Sequence, residues 1–104
     1  MSETQIKRDI LDYCAKAGIF AKRRNVAGVQ RMHGHFVKLG DKGMVDLWGI
    51  LRFSGRHWEY ELKKPGKEPT EKQMEWLEEC KSLGAYVGWG DSLEDFIDFM
   101  KHAR

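Results

Sequence analysis

Apolar residues open the chain at helical spacing, with Ile6, Ile10, Cys14 and Ala17 recurring ahead of Gly18. Ser2-Glu3-Thr4-Gln5 precedes them with the Ser-x-x-Gln pattern, in which a hydroxyl and a side-chain amide satisfy the free N–H groups of a helix start. The pattern predicts a first helix over residues 3 to 17. Beyond Gly18 the period shortens. Residues 19 to 24 suit a short strand, Asn25-Val26-Ala27-Gly28 reads as a loop, and a less regular extended stretch continues through Val37.

After the turn Gly40-Asp41-Lys42-Gly43, two runs over 44–51 and 57–63 are expected to pair as a hairpin about Ser54-Gly55. The first is apolar on both faces except at Asp46, as in a central strand. The second alternates, with Trp58, Tyr60 and Leu62 on one side and His57, Glu59, Glu61 and Lys63 on the other. Pro69-Thr70 then opens a second helix with a Thr-x-x-Gln pattern, and Gly84 closes it. Its apolar stripe is Trp76, Leu77, Cys80 and Leu83, and Gln73 lies at the centre of that stripe. Residues 85 to 89 form a short strand, parallel to a neighbour because a helix precedes it. Ser92 caps a last helix whose core face is Leu93, Phe96, Ile97 and Met100. The order is αβββαβα, which predicts one α/β domain over residues 1–104 with a central mixed sheet flanked by helices.

A chain of 104 residues, 41% of them apolar, supports a single core. No run approaches the roughly 20 apolar residues of a membrane span. The polar start Met1-Ser2-Glu3-Thr4-Gln5 is unlike a signal peptide, so a cytoplasmic protein without a membrane partner is expected. Cys14 and Cys80 fall on apolar helix sides without zinc-ligand spacing and read as buried free thiols. His33 and His35, in a basic segment, read as solvated or phosphate-facing.

The net charge of +2 conceals a strong asymmetry. No acidic residue lies between Asp12 and Asp41, where Lys16, Lys22, Arg23, Arg24, Arg31 and Lys38 supply six positive charges. From Glu68 to Asp98, nine acids face only Lys72 and Lys81. One surface should therefore attract polyanions and another repel them, which points to nucleic acid as the partner.

Asp46 is the feature that needs an explanation, because burying an unpaired carboxylate costs several kcal/mol, on the order of a small domain's whole stability. With Ser54 and Gly55 at the hairpin tip, Trp48 stands opposite Glu61 and Asp46 opposite Lys63, so Asp46, Glu61 and Lys63 share a face. Two carboxylates there can converge on a Mg2+ or Mn2+ ion, which takes carboxylate and carbonyl oxygens and keeps several waters. Asp46 and Glu61 would be the ligands, the backbone carbonyl of Leu62 a third oxygen, and Lys63 the group that orients a water or balances phosphate charge. The competing reading is an ordinary ion pair of Asp46 with Lys63, with Glu59 and Glu61 in solvent. Glu3 extends the apolar stripe of the first helix, either favouring the helix dipole or facing inward to ligate through water or hold a second ion. Gln73 either caps its own helix or joins the site.

Gly43-x-x-Asp46, Glu61-x-Lys63 and Gln73 on the next helix, preceded by Glu3, resemble the active-site pattern of the PD-(D/E)XK nuclease superfamily. Glu61-Leu62-Lys63-Lys64-Pro65-Gly66-Lys67, then Gln73-x-x-Trp76-Leu77 and Leu83-Gly84, resemble its VRR-NUC family over essentially the whole chain. Glu-x-Lys alone is a weak signal; the ordered set is more specific. Val45 stands where the superfamily's name records proline, a residue that shapes backbone and ligates nothing. The resemblance implies a restriction-endonuclease-like fold and Mg2+- or Mn2+-dependent cleavage of DNA. Asp46 and Glu61 would be ligands and Lys63 the catalytic lysine, with Glu3 and Gln73 lining the site.

Short members of the family resemble Holliday-junction resolvases, which implies a homodimer acting on branched DNA in a bacterial or phage setting, without an organic cofactor. Lys22, Arg23, Arg24, Asn25, Arg31 and Lys38, with Lys64 and Lys67 beside the site, would grip phosphates. The alternatives are a nuclease of flaps, nicks or single strands, and a non-catalytic DNA-binding module that retains the fold.

Overall fold

The computed structural model of the chain describes residues 2–24 and 43–104 in full, and residues 29–32 and 35–38 as backbone. Helix α1 (Glu3–Ala17) begins where the Ser2 hydroxyl accepts the Gln5 N–H, and it ends at Gly18 in the left-handed conformation. Strands β1 (Phe20–Arg23), β2 (Val29–Met32), β3 (His35–Lys38), β4 (Leu47–Ile50) and β5 (His57–Leu62) follow. Helix α2 (Glu71–Ser82), β6 (Tyr86–Gly90) and α3 (Leu93–Lys101) complete the order. Five strands, not three, thus separate the first two helices. The extra pair is an antiparallel hairpin of β2 and β3 that forms its own two-stranded sheet. It occupies the stretch through Val37 where alternation along the chain is too short to announce two strands.

The main sheet has the order β1-β4-β5-β6 and is mixed: β4 runs antiparallel to β1 and β5, while β6 runs parallel to β5, as the intervening helix requires. Helices α1 and α3 cover one face. Ile6, Ile10 and Cys14 pack there with Leu47, Trp58, Tyr60, Leu62 and Phe96 into the core, joined by Leu93, Phe99 and Met100. Of the expected core face of α3, Phe96 is fully buried, while Leu93, Ile97 and Met100 are half-buried. Helix α2 lies against the other face and buries Leu77; Cys80 is half-buried and Leu83 is 82% exposed, so the stripe expected there is narrower than the spacing implied. Among the described residues no helix is long and apolar enough to cross a membrane.

The hairpin register departs from the expected one by two residues. Leu47 pairs with Tyr60 and Trp48 with Glu59, so Trp48 is not opposite Glu61 and Asp46 is not opposite Lys63. The reason is the turn. Leu51 N–H donates to the Arg56 carbonyl at 2.7 Å, enclosing a four-residue connection in which Phe53 (φ 72°) and Gly55 (φ 70°) are both left-handed. An aromatic residue in that conformation is uncommon and carries no sequence signal. Because side chains alternate with a period of two, a two-residue shift returns each of them to its original face. Asp46 precedes β4 by one residue, and continuing the observed register sets it across from Glu61.

Candidate functional site

The start of β4, the end of β5 and the first turns of α1 and α2 meet at one end of the sheet. Gly43 fixes that approach: at φ 91° it needs no Cβ, and one would lie 2.6 Å from the Lys72 carbonyl at the start of α2. Asp46 follows three residues later.

Glu61 is 4% exposed, and its Oε2 is buried without a hydrogen-bond partner among the described residues. Burial pushes its carboxyl up to about 7; the Lys63 and Lys7 charges act against this and the Glu3 charge adds to it. Glu3, half-buried in the first turn of α1, is thus close enough to act on Glu61 through its charge. Lys63 Nζ donates to Gln73 Oε1 at 3.3 Å. The same oxygen accepts the Thr70 N–H at 2.9 Å, and Thr70 in turn caps Gln73 N–H. Gln73 is a helix cap whose fixed carbonyl also holds the lysine, so the two readings of this residue are compatible.

Asp46 forms an ion pair with Lys7, not with Lys63. The two side chains are 15% and 13% exposed, so the pair is largely shielded from solvent. Burial and the neighbouring Arg23 charge lower the Lys7 ammonium below the usual lysine range, while Glu3 and Glu61 act in the opposite direction. Nothing in the sequence marks Lys7, which follows Ile6 on α1, where spacing alone gives it no partner.

Glu59, two residues before Glu61 on the same face, is 1% exposed, so it is not a solvated carboxylate. Arg24 donates to both its oxygens, at 2.6 and 3.0 Å, Trp76 Nε1 donates at 2.8 Å, and His57 Nε2 lies 2.5 Å away. Burial would raise the carboxyl; the hydrogen bonds from Arg24, Trp76 and His57, with the Arg24 charge, outweigh it and hold the group below its ordinary value. The Arg24 guanidinium also sits 5.9 and 5.8 Å from the Trp48 and Trp76 ring centres and donates to the Val45 carbonyl. It is therefore engaged inside the protein. The clue in the sequence was a second acid on a face that a helix must cover; its partner lies 35 residues away, beyond local patterning.

Of the other residues expected to contact phosphates, Lys22, Arg23, Lys64 and Lys67 are exposed. Asn25 and Gly28 lie outside the described residues, as do the side chains of Arg31 and Lys38 in β2 and β3.

Glu61 presents a buried, unpartnered carboxylate oxygen, and the register sets Asp46 across from it; with the Leu62 carbonyl these residues would offer a hard divalent ion only oxygen donors. Among the described residues no three His, Cys, Asp or Glu side chains gather as a cluster able to hold a metal. Two carboxylates, a carbonyl and retained waters do not require one. No family model matches the chain, and no curated protein sequence does.

Proposed function

We propose that the chain is a metal-dependent endodeoxyribonuclease with the PD-(D/E)XK restriction-endonuclease-like fold, similar in motif to the VRR-NUC family, acting as a homodimer on branched DNA such as Holliday junctions. The observation that carries this reading is Glu61, a buried carboxylate with an unpartnered oxygen, across from Asp46 in register and two residues from a lysine held by Gln73. A structural ion pair has no use for an orphaned carboxylate oxygen, whereas a cation site does.

Asp46 and Glu61 would hold Mg2+ or Mn2+ with the Leu62 carbonyl and waters, and Glu3 would contribute through water. When bound, such an ion supplies Lewis acidity and makes its bound water more acidic. Lys63 is held by the Gln73 carbonyl at a fixed place beside the carboxylates, where its ammonium meets the charge of the phosphate or orients the attacking water. Lys64 and Lys67, exposed in the turn after β5, place further positive charge along the path of the backbone.

The test is a panel of four-way, flapped, nicked and linear substrates with Mg2+, Mn2+ or chelator, with products mapped on each strand. Asp46→Ala, Glu61→Ala and Lys63→Ala should each reduce cleavage at least ~10³-fold while circular dichroism and DNA binding persist. Full activity of Asp46→Ala would overturn the proposal. Tight binding of branched DNA without cleavage under either metal would favour the non-catalytic module, and two symmetric nicks across the junction would establish resolution.

A further inference from the structure

The Lys7–Asp46 pair is a feature that the nuclease reading does not use. A catalytic carboxylate that binds a divalent ion does not need a shielded ammonium in contact with it, yet Lys7 reaches Asp46 from the second turn of α1 with both side chains largely out of solvent. Lys7 also acts on Glu3 and Glu61 through its charge, and Lys63 acts on Glu61, but only Lys7 is in contact with Asp46. Without Lys7, Asp46 would stand as a largely shielded carboxylate with no ion-pair partner among the described residues, beside two further acids.

We propose that Lys7 is the resident counter-cation of this site, and that uptake of a divalent ion is an exchange in which the Lys7 ammonium leaves Asp46. The inference rests on the metal-site reading above. An ammonium and a divalent ion on the same carboxylate are like charges at contact distance, in surroundings where water screens them poorly. The lysine stem is flexible, and a place to go exists: Lys7 lines a cleft with Thr4, Arg8, Leu11 and Arg23. Arg8 and Arg23 form no ion pair among the described residues, so a displaced Lys7 would join two cations on a surface that favours phosphate. The exchange makes the site weak for metal when DNA is absent and improves it when a phosphate meets the freed ammonium, a coupling that acts equally in both directions.

The experiment titrates Mn2+ into wild type, Lys7→Met and Asp46→Asn by calorimetry in the absence of DNA. Methionine keeps the apolar stem and removes the charge. Mn2+ should bind Lys7→Met about tenfold more tightly than wild type, and Asp46→Asn should lose binding. Equal or weaker binding by Lys7→Met, with wild type still saturable, would overturn the exchange and leave the metal site standing. If neither wild type nor Lys7→Met takes up Mn2+ saturably, the metal-site reading falls and the exchange falls with it.

A measurement on wild type keeps the proposal open to refutation should Lys7→Met fail to fold. Reductive methylation read by mass spectrometry should find Lys7 shielded in chelator and several-fold more reactive under saturating Mn2+. Lys16, 77% exposed, should be equally reactive in both conditions and serves as the reference. No change at Lys7 under a metal concentration that calorimetry shows to saturate the site would also overturn the exchange.

Discussion

Glu59 and Glu61 carry the same carboxyl on the same face of the same strand, and their surroundings drive them apart. Glu59 is buried among an arginine, an indole N–H and a histidine, and is held below its ordinary range; Glu61 is buried with one oxygen unpartnered and is pushed up to about 7. The sign of the consequence follows. Glu61 binds its proton more tightly folded than unfolded, where its value is 4.5, so this group's penalty on the metal-free protein is absent below about pH 4.5 and grows as pH rises toward 7. Glu61→Gln should therefore stabilise the protein in chelator at pH 8, by about 1–3 kcal/mol, and have little effect at pH 4.5. Urea unfolding of both proteins at the two pH values measures this, and equal gains at both would show that Glu61 is not the titrating group. Glu59 contributes with the opposite sign, stabilising above the ordinary carboxylate range and losing that contribution as pH falls. Both residues stood out in the sequence as acids on one face, but only tertiary neighbours decide which is neutralised. Asp46 drew notice as the single charge of an apolar run, and its partner Lys7 could not be read from that run.

At the scale of elements, what the sequence revealed best were helix ends, because capping is local chemistry. Ser2, Thr70 and Ser92 cap the three helices; Thr70 and Gln73 complete a reciprocal pair, whereas the Gln5 amide turns to Asp9 and leaves Ser2 to cap alone. The hairpin was legible as a hairpin, but its register was not, since that depended on a left-handed Phe53 that nothing in the chain signals. The faces survived only because the shift was even. Arg24 shows the same limit. It reads as one more cation of a basic segment, yet as the residue that follows β1 it lies against Trp48 and Trp76 with both guanidinium arms on Glu59, tying the end of β1 to β5 and α2. Arg24→Ala would leave the buried Glu59 carboxylate with only Trp76 and His57 and should cost about 3–5 kcal/mol. Replacing the neighbouring, exposed Arg23 by alanine should change stability by less than ~0.5 kcal/mol. Denaturant unfolding separates the two, and a small effect of Arg24→Ala would mean that the pair is not formed in solution.

For the molecule as a whole, the α/β class and the mixed sheet follow from the alternation of helical and strand periods, while the pairing of β2 with β3 does not, because two short strands leave no long-period trace. Charge asymmetry is a whole-molecule property that the sequence shows directly, and the structure refines which cations remain outward. Arg24 is engaged inside; Lys64 and Lys67 are exposed in the turn that leaves the end of β5. Acids such as Glu78 and Glu94 are exposed on α2 and α3, part of the acid-rich half of the chain. If DNA approaches the carboxylate end of the sheet, Lys64 and Lys67 release counterions from phosphates and Glu78 and Glu94 do not. The dependence of log K on log salt for a DNA duplex, measured by fluorescence anisotropy in chelator, should then lose about 0.9 in slope for each of Lys64→Gln and Lys67→Gln. The affinity loss should be similar across unrelated sequences, since phosphate contacts carry no sequence information. Glu78→Gln and Glu94→Gln should leave the slope unchanged, because a carboxylate makes no contact with phosphate and releases no counterion from it. An equal slope change for the glutamate and lysine variants would place the DNA elsewhere on the surface, away from Asp46 and Glu61.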